Sequence, residues 1–340
     1  MNMENYKRDV SVKDLLEQLG ITELLKKDGL TELMINRPNE VFIEGTFGVE
    51  RIESDILTYR NLERLANVTC IFNNKNITPN DPMQSARLPT GERVHIIIPP
   101  ACEDGTIVFS IRKPSNNRFS LNDFIETGRL NNIKHSDSKD KEKLKDFQVE
   151  MLAAKKNKDW NSFFEIAVLN SLNICMVGGT SSGKTTFTKA IADLVPKDQR
   201  LVTIEDTHEL DLPNHSNRIH LFYDNLSKKR TSKDVLASCM RIKPDRIFLT
   251  ELRGDETWDY LSALNTGHGG GLTSVHANDA KSAPYRIAQL AKESETGKTM
   301  DFEYILKTVQ STIDVICFFK HTHMTEIYFD PEFKNRLING

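Results

Sequence analysis

Apolar side chains recur along the first 130 residues with two different periods, which predict a mixture of helices and strands. Leucines at helical spacing predict a helix over 12–25, interrupted near Gly20, and a second one-faced helix is predicted over 57–72. Runs rich in β-formers predict strands at 31–36, 41–44, 93–98 and 106–112, with a turn at 37–40. This half is therefore predicted to be a small sheet flanked by helices.

A different pattern begins at residue 172, where short apolar runs alternate with segments of helical periodicity. The predicted strands are 172–177, 201–205, 246–250, 272–276, 315–319 and 326–329. The predicted helices are 185–195, 231–242, 254–265, 279–291 and 301–310. Such alternation is typical of a mostly parallel sheet covered by helices.

Between these two patterns lies a stretch of mixed charge, 134–143, with almost no apolar side chain. A segment of this composition cannot bury itself, so we interpret it as part of an interdomain linker. The predicted organisation is an α+β domain over 1–132, a charged linker over 133–160 and an α/β domain over 161–340.

The composition narrows the class of protein. The chain has 340 residues, enough for two cores, and its formal net charge of −3 gives no reason to expect strong nucleic-acid binding. Five well-separated cysteines without a C-x-x-C pair favour reduced buried thiols over a zinc site or disulfides. The sequence shows no apolar core of a signal peptide, and no apolar run approaches the ~18 residues that a membrane-spanning helix needs. A cytosolic location is therefore expected.

One short stretch, 178–185, fits the phosphate-loop pattern G-x-x-x-x-G-K-[ST]. Glycines at both ends let the backbone curl so that its N–H groups point inward at an anion. Lys184 would contact the β- and γ-phosphates, and the Thr185 hydroxyl can ligate Mg²⁺. A surface turn is the alternative, but the predicted strand before the loop and the helix after it favour nucleotide binding. The candidate nucleotide-binding residues are Gly178, Gly179, Thr180, Ser181, Ser182, Gly183, Lys184, Thr185 and Thr186.

Three further predicted strands end in polar side chains that can take part in catalysis. Glu205 and Asp206 end one strand, Glu251 follows another and His276 ends a third. Any one of them alone could be a solvated or locally hydrogen-bonded strand end. Because the carboxyl ends of parallel strands meet at one edge, we expect Glu205, Glu251 and His276 to converge on the γ-phosphate.

Four motifs in fixed order carry a specific resemblance: GGTSSGKTT, LVTIEDTHEL, RIKPDRIFLTELRG and TGHGGGLTSVHAN. Together they resemble the secretion ATPase superfamily, and most of all the traffic ATPases of bacterial type IV secretion systems. The first half is similar too, through LTELMINRPNEVFIEG, LPTGERVHIIIPPACEDGTIVFSIRKPS and FIETG. The family usually carries glycine where Ser181 and Thr250 stand here. The cysteine-rich zinc segment of pilus and type II relatives is absent.

The resemblance implies a RecA-like phosphate-loop domain and a role for each matching residue. Glu251 would be the water-activating base, Glu205 would orient the metal or the water, and His276 would contact the γ-phosphate region. The implied metal ligands are Thr185, Glu205 and Asp206. Arg93 and Arg112 match arginines of the first domain that reach the phosphates at an interdomain cleft. From the residues alone, Arg112 would be an ordinary edge-strand arginine.

The function that the resemblance implies is a homohexameric ATPase that uses ATP and Mg²⁺. It would drive substrate export or pilus assembly with other components of a type IV secretion machine, at the cytoplasmic side of the inner membrane and without sequence-specific nucleic-acid binding. Two alternatives remain. One is a nucleotide-gated scaffold with little turnover, supported by Ser181 and Thr250. The other is a RecA-like DNA-translocating motor, which the acidic net charge disfavours.

Overall fold

The computed structural model describes residues 3–114, 121–128, 130–131 and 144–339. Within these residues the chain forms two separate sheets, one from each half. The predicted charged run at 134–143 lies outside the described residues. The boundaries of the domains and of the linker therefore stay predictions.

The first half is an antiparallel sheet with helices. Its elements are α1 (Met3–Gln18), α2 (Ile21–Lys26), β1 (Leu30–Ile35), β2 (Glu40–Gly45), β3 (Gly48–Glu53), α3 (Tyr59–Phe72), β4 (Met83–Arg87), β5 (Arg93–Ile97), β6 (Val108–Arg112) and α4 (Leu121–Glu126). The strand order is β3-β2-β1-β6-β5-β4. Gly20 adopts the left-handed conformation, with φ 71°, and separates α1 from α2 as predicted.

Sequence patterning missed the two edge strands of this sheet, β3 and β4. Most side chains of β3 are exposed, and β4 is only partly buried. An edge strand with little burial has no apolar alternation for a sequence argument to detect.

The second half is a seven-stranded sheet covered by helices. Its elements are α5 (Asp146–Asn157), α6 (Trp160–Leu169), β7 (Ile174–Gly178), α7 (Lys184–Ala192), β8 (Leu201–Glu205), β9 (Arg218–Phe222), α8 (Ser232–Cys239), β10 (Arg246–Leu249), α9 (Glu256–Asn265), β11 (Leu272–Val275), α10 (Ala283–Glu293), α11 (Glu295–Thr299), α12 (Phe302–Thr312), β12 (Val315–Lys320), β13 (His323–Tyr328) and α13 (Pro331–Asn339). The strand order is β13-β12-β7-β11-β10-β8-β9, and all neighbouring strands are parallel except β12 and β13. The predicted fold class, a mostly parallel sheet preceded by a smaller α+β part, is confirmed.

The central strands are apolar throughout because helices cover both faces of the sheet. In β7, Cys175 and Val177 face a core built with α8, α9, α10 and α12, whereas Ile174 and Met176 face a core built with α5, α6 and α7. Helix α5 lies within the range predicted as linker. Its residues Met151 and Ala154 are nevertheless buried in the second of these cores.

The two halves contact each other through the β8–β9 side of the parallel sheet. Ile97 and Cys102 of the first half share a core with Leu221. The amide of Asn36 donates a buried hydrogen bond to Asn217 Oδ1 at 3.0 Å. The first half therefore packs against β9 and α8. Among the residues that the structure describes, no helix combines the length and apolar character needed to cross a membrane.

A single buried amide joins three elements at the amino-terminal edge of the parallel sheet. Asn173 Oδ1 accepts hydrogen bonds from the backbone N–H groups of Gly270 and Gly271, at 2.9 and 3.0 Å. Its Nδ2 donates to the carbonyl of Thr312 at 2.8 Å. The side chain thus fixes the start of β7 to the start of β11 and to the end of α12.

Replacing Asn173 by alanine should destabilise the second half by about 2–3 kcal/mol, because buried backbone groups lose their partners. Urea unfolding followed by circular dichroism measures this change. Asn170→Ala is the matched control, since the Asn170 side chain is exposed and bonds only within its own helix end. Equal stability of the two variants would contradict the assigned role of Asn173.

Candidate nucleotide-binding site

The phosphate loop connects β7 to α7 with the backbone geometry that its glycines permit. A Cβ atom on Gly178 would lie 2.5 Å from the Phe319 carbonyl oxygen, so only glycine fits there. Gly183 has φ 95° and precedes the first residue of α7, so the helix amino terminus faces the loop. Ser181 is left-handed too, with φ 56°, a conformation that costs a non-glycine residue about 1–2 kcal/mol.

The Lys184 ammonium lies inside the curl of the loop. Its Nζ donates to the carbonyl oxygens of Gly178 and Gly179, at 2.9 and 2.8 Å. Burial lowers the pKa of Lys184, and the negative charge of Glu251 opposes that effect. The lysine is thus held by the loop that would surround a phosphate, within electrostatic reach of Glu251.

A cavity of about 690 Å³ opens beside the loop. Its volume is within the range of small-molecule sites. All of its lining comes from the second half of the chain: loop residues 178–182, His276 with the two residues after it, 318–321, Thr325 and Glu326. The cavity therefore has room for a nucleotide bound to the loop.

Glu251 and His276 meet at the carboxyl edge of the sheet, as predicted. His276 Nε2 lies 3.1 Å from Glu251 Oε1. The other carboxylate oxygen of Glu251 accepts from Arg253 Nε and Nη2, at 2.9 and 2.7 Å. Arg253 also donates to Asp206 at 2.5 Å, and these bonds raise its pKa. Arg253, which sequence analysis did not select, therefore joins two of the predicted acids.

Glu205 lies at the same edge, but its carboxylate is already occupied by protein donors. The side chain is fully buried and accepts from Thr203 Oγ1, His208 Nδ1 and the backbone N–H groups of Glu209 and Leu210. Burial alone would raise the pKa of Glu205, but interactions with His220 and these donors lower it overall. The structure thus keeps Glu205 ionised and directed into the protein.

Glu209, which sequence analysis also missed, is the acid beside the predicted magnesium ligand. The Thr185 hydroxyl donates to Glu209 Oε2 at 3.2 Å, and both side chains are at the surface of the site. Hydroxyl and carboxylate oxygens are ligands that Mg²⁺ accepts. Its position four residues after Glu205, in the same acidic motif, is the signal that could have identified it.

Thr250, where the resembling family has glycine, turns away from Glu251. Its hydroxyl bonds to the carbonyl of Ile204 on the neighbouring strand β8, at 3.3 Å. The threonine therefore adds a bond between strands and does not hydrogen-bond to the glutamate.

The structure does not bring Arg93 and Arg112 to the phosphate loop of their own chain. They pair across β5 and β6 and line a separate cavity of about 700 Å³ together with Lys243 and His268. Lys243 precedes β10 and His268 precedes β11, so this cavity lies at the amino-terminal edge of the parallel sheet. The loop lies at the carboxyl edge, about 15 Å away for strands of this length. Within one chain, Arg93 and Arg112 therefore line a different cavity from the phosphate loop, and their contact with the phosphates stays a prediction.

Comparison with known proteins identifies the family. The family described as "Type II/IV secretion system protein" matches residues 140–323. Type IV secretion system protein VirB11 of Brucella abortus is 38% identical over 315 residues, covering 89% of this chain and 86% of the relative. The corresponding protein of Bartonella henselae is 38% identical over 326 residues, covering 91% and 90%. PtlH of Bordetella pertussis is 34% identical over 289 residues, covering 84% and 83%.

A solved structure extends this similarity to the whole fold. The crystal structure of the VirB11 ATPase from the Brucella suis type IV secretion system, in complex with sulphate, superposes with a TM-score of 0.91. The sequences are 38% identical, and the match covers 99% of each chain. The agreement extends over both sheets, including the RecA-like phosphate-loop half. This chain therefore belongs to the type II/IV secretion system protein family, among the type IV secretion ATPases.

Proposed function

We propose that this protein is a hexameric ATPase that hydrolyses ATP to drive a type IV secretion machine. The observation that carries the proposal is the phosphate loop with Glu251 and His276 in contact at the same sheet edge. Its relatives are named as type IV secretion proteins, and one is described as an ATPase. The machine's other components at the inner membrane are its proposed partners.

Within this proposal, the loop N–H groups and Lys184 bind the β- and γ-phosphates of ATP. Water attacks the γ-phosphorus in line, and its proton passes to a carboxylate oxygen of Glu251 as the bond to the ADP oxygen breaks. His276 lies 3.1 Å from that carboxylate and is positioned to contact the γ-phosphate oxygens. Because Arg253 occupies the other oxygen of Glu251, it fixes the orientation of the base.

The residues beside the loop also fit a magnesium ion. Thr185 and Glu209 would hold the ion. Asp206, the other acid at this edge, is paired with Arg253. Glu205 would hold the backbone of the acidic motif in place from within the protein. When bound, Mg²⁺ neutralises the charge that develops on the β- and γ-phosphate oxygens.

The proposed ring explains where Arg93 and Arg112 act. Both lie at the sheet edge opposite the loop of their own chain, which supports the proposal that they would reach the phosphates of a neighbouring chain. A head-to-tail arrangement of copies brings one chain's first half to the next chain's loop and closes into a ring. Movement of the first half on ATP turnover would then act on secretion partners.

Lys184→Ala and Glu251→Gln should each lower the rate of ATP hydrolysis by ~100-fold or more. The first variant loses the charge that stabilises the phosphates, and the second loses the general base. Glu251→Gln should still bind ADP, because it keeps the loop intact. A coupled phosphate-release assay and calorimetry with ADP measure the two properties. Glu303→Gln, an exposed glutamate on α12, is the control for loss of a carboxylate. Normal turnover by Glu251→Gln would reject it as the base, and a wild-type rate equal to that of Lys184→Ala would favour a nucleotide-gated scaffold.

Mixing two inactive variants tests whether the arginines act on a neighbouring chain. Lys184→Ala and Arg112→Ala are each expected to be inactive alone. Random co-assembly of equal amounts should restore about one quarter of the wild-type rate per chain, since that fraction of interfaces joins an intact loop to an intact arginine. The phosphate-release assay is run after co-refolding or dilution and reconcentration. Light scattering verifies that the mixed chains assemble. If they assemble without recovery of activity, Arg112 does not act on a neighbouring chain, and its replacement acts within its own chain or disturbs folding.

Replacing Ser181 by glycine should stabilise the chain against urea unfolding by up to about 1 kcal/mol, because the left-handed strain that glycine relieves exceeds the backbone entropy that glycine loses on folding. Ser182→Gly is the matched control. Its hydroxyl donates to the Gly179 carbonyl at 2.8 Å and its φ is not positive, so no gain is expected there. Urea unfolding followed by circular dichroism measures both. Lower stability of Ser181→Gly would show that the serine side chain, not the backbone conformation, matters at this position.

A further inference from the structure

Two histidines and a glutamate meet where the two halves of the chain touch. Glu103 lies in the loop between β5 and β6, His220 is on β9, and His208 follows β8. One ligand atom from each of the three lies within 4.8 Å of the other two. His220 is 1% exposed, Glu103 is half-buried, and His208 is open to solvent. The group is therefore reachable by a small ion.

The hydrogen bonds behind the two imidazoles fix which ring nitrogen is available. Glu205 Oε1 accepts from His208 Nδ1 at 3.3 Å, and it accepts from the Thr203 hydroxyl at 2.8 Å. Because the Thr203 proton points to Glu205, the hydroxyl oxygen accepts from His220 Nδ1 at 2.8 Å. Both rings therefore carry their proton on Nδ1, and the lone pair on each Nε2 is free for a ligand bond.

This arrangement has the chemistry of a transition-metal site. Metal-bound histidines usually donate their other ring N–H to a carboxylate or a polar oxygen, which orients the ring and makes the ligating nitrogen more basic. Two imidazoles with one carboxylate suit Zn²⁺, with a water in the fourth position, and do not suit Mg²⁺. Ligand atoms of a tetrahedral zinc site lie about 3.3 Å apart, so the three ligand atoms, now within 4.8 Å of one another, would come closer when Zn²⁺ binds.

Arg37 is a cation that could compete for the carboxylate of Glu103, but its guanidinium already has other partners. Arg37 is influenced by Glu103, but its guanidinium lies 3.3 Å from Glu40 and donates to the Arg218 carbonyl at 2.9 Å. Glu103 thus remains available as a ligand.

We propose that Glu103, His208 and His220 form a zinc site that ties the first sheet to the second. The site is separate from the phosphate loop and contains no cysteine, so it differs from the cysteine-based zinc site that the sequence disfavoured. Because Glu103 comes from the first half and the histidines from the second, bound Zn²⁺ would stabilise their present arrangement. Zinc binding at this site would not require ATP hydrolysis.

The test titrates the full-length, tag-free chain with Zn²⁺ in competition with a chromophoric chelator. One equivalent should bind, and Co²⁺ in its place should give the visible absorption of a four-coordinate ion. Glu103→Gln and His208→Gln should each weaken Zn²⁺ binding at least tenfold while unfolding at the wild-type temperature without metal. Both positions are at least partly exposed, so these variants should keep the fold.

Asp104→Asn and His323→Gln are the matched controls, since both side chains are exposed and lie outside the group. They should bind Zn²⁺ as the wild type does. Zn²⁺ should also raise the thermal unfolding midpoint of the wild type and of the controls, but not that of Glu103→Gln. Absence of a one-equivalent site, or unchanged affinity in Glu103→Gln, would overturn the proposal. Equal weakening by Asp104→Asn would show only general attraction to negative charge.

Discussion

The parallel hydrogen bonding of β7, β11, β10 and β8 is the constraint on which the candidate site depends. Register pairs Val177 with Val275, and Leu249 with both Thr273 and Ile204, so the four strands end nearly level. The phosphate loop, His276, Glu251 and Glu205 consequently occupy neighbouring positions along one edge. A parallel sheet needs helical crossovers on both faces, and those helices bury the strands that fix this register.

The same parallelism separates two sets of positively charged residues. Lys184 lies at the carboxyl edge, whereas Arg93 and Arg112 lie near Lys243 at the amino edge. One chain cannot bring both sets to one nucleotide without moving its first half a long way. In the proposed ring, the two sets would meet at the interface between neighbouring copies.

Glu205 connects the two sites proposed for this protein. Its Oε2 accepts a hydrogen bond from the backbone N–H of Glu209, whose side chain contacts Thr185. Its Oε1 accepts from His208 Nδ1 and from the Thr203 hydroxyl, which in turn contacts His220. Hydrogen bonds from this many donors stabilise the ionised form of the carboxylate and lower its pKa despite the burial. Glu205 is thus best understood as the residue that shapes the acidic motif from inside.

The sequence by itself determined the loop, most strands and helices of the second half but not β9 (Arg218–Phe222), and the strand-end residues Glu251 and His276, because spacing and local apolar runs are encoded within a few residues of one another. Weakly buried edge strands such as β3 carried no such signal. The partners of Arg253, Glu209 and Glu205 were decided only by the tertiary structure, since they depend on which loops fold over the sheet edge. The location of Arg93 and Arg112 was decided there too, because the packing of one half on the other involves contacts between residues more than a hundred positions apart, such as Asn36 with Asn217.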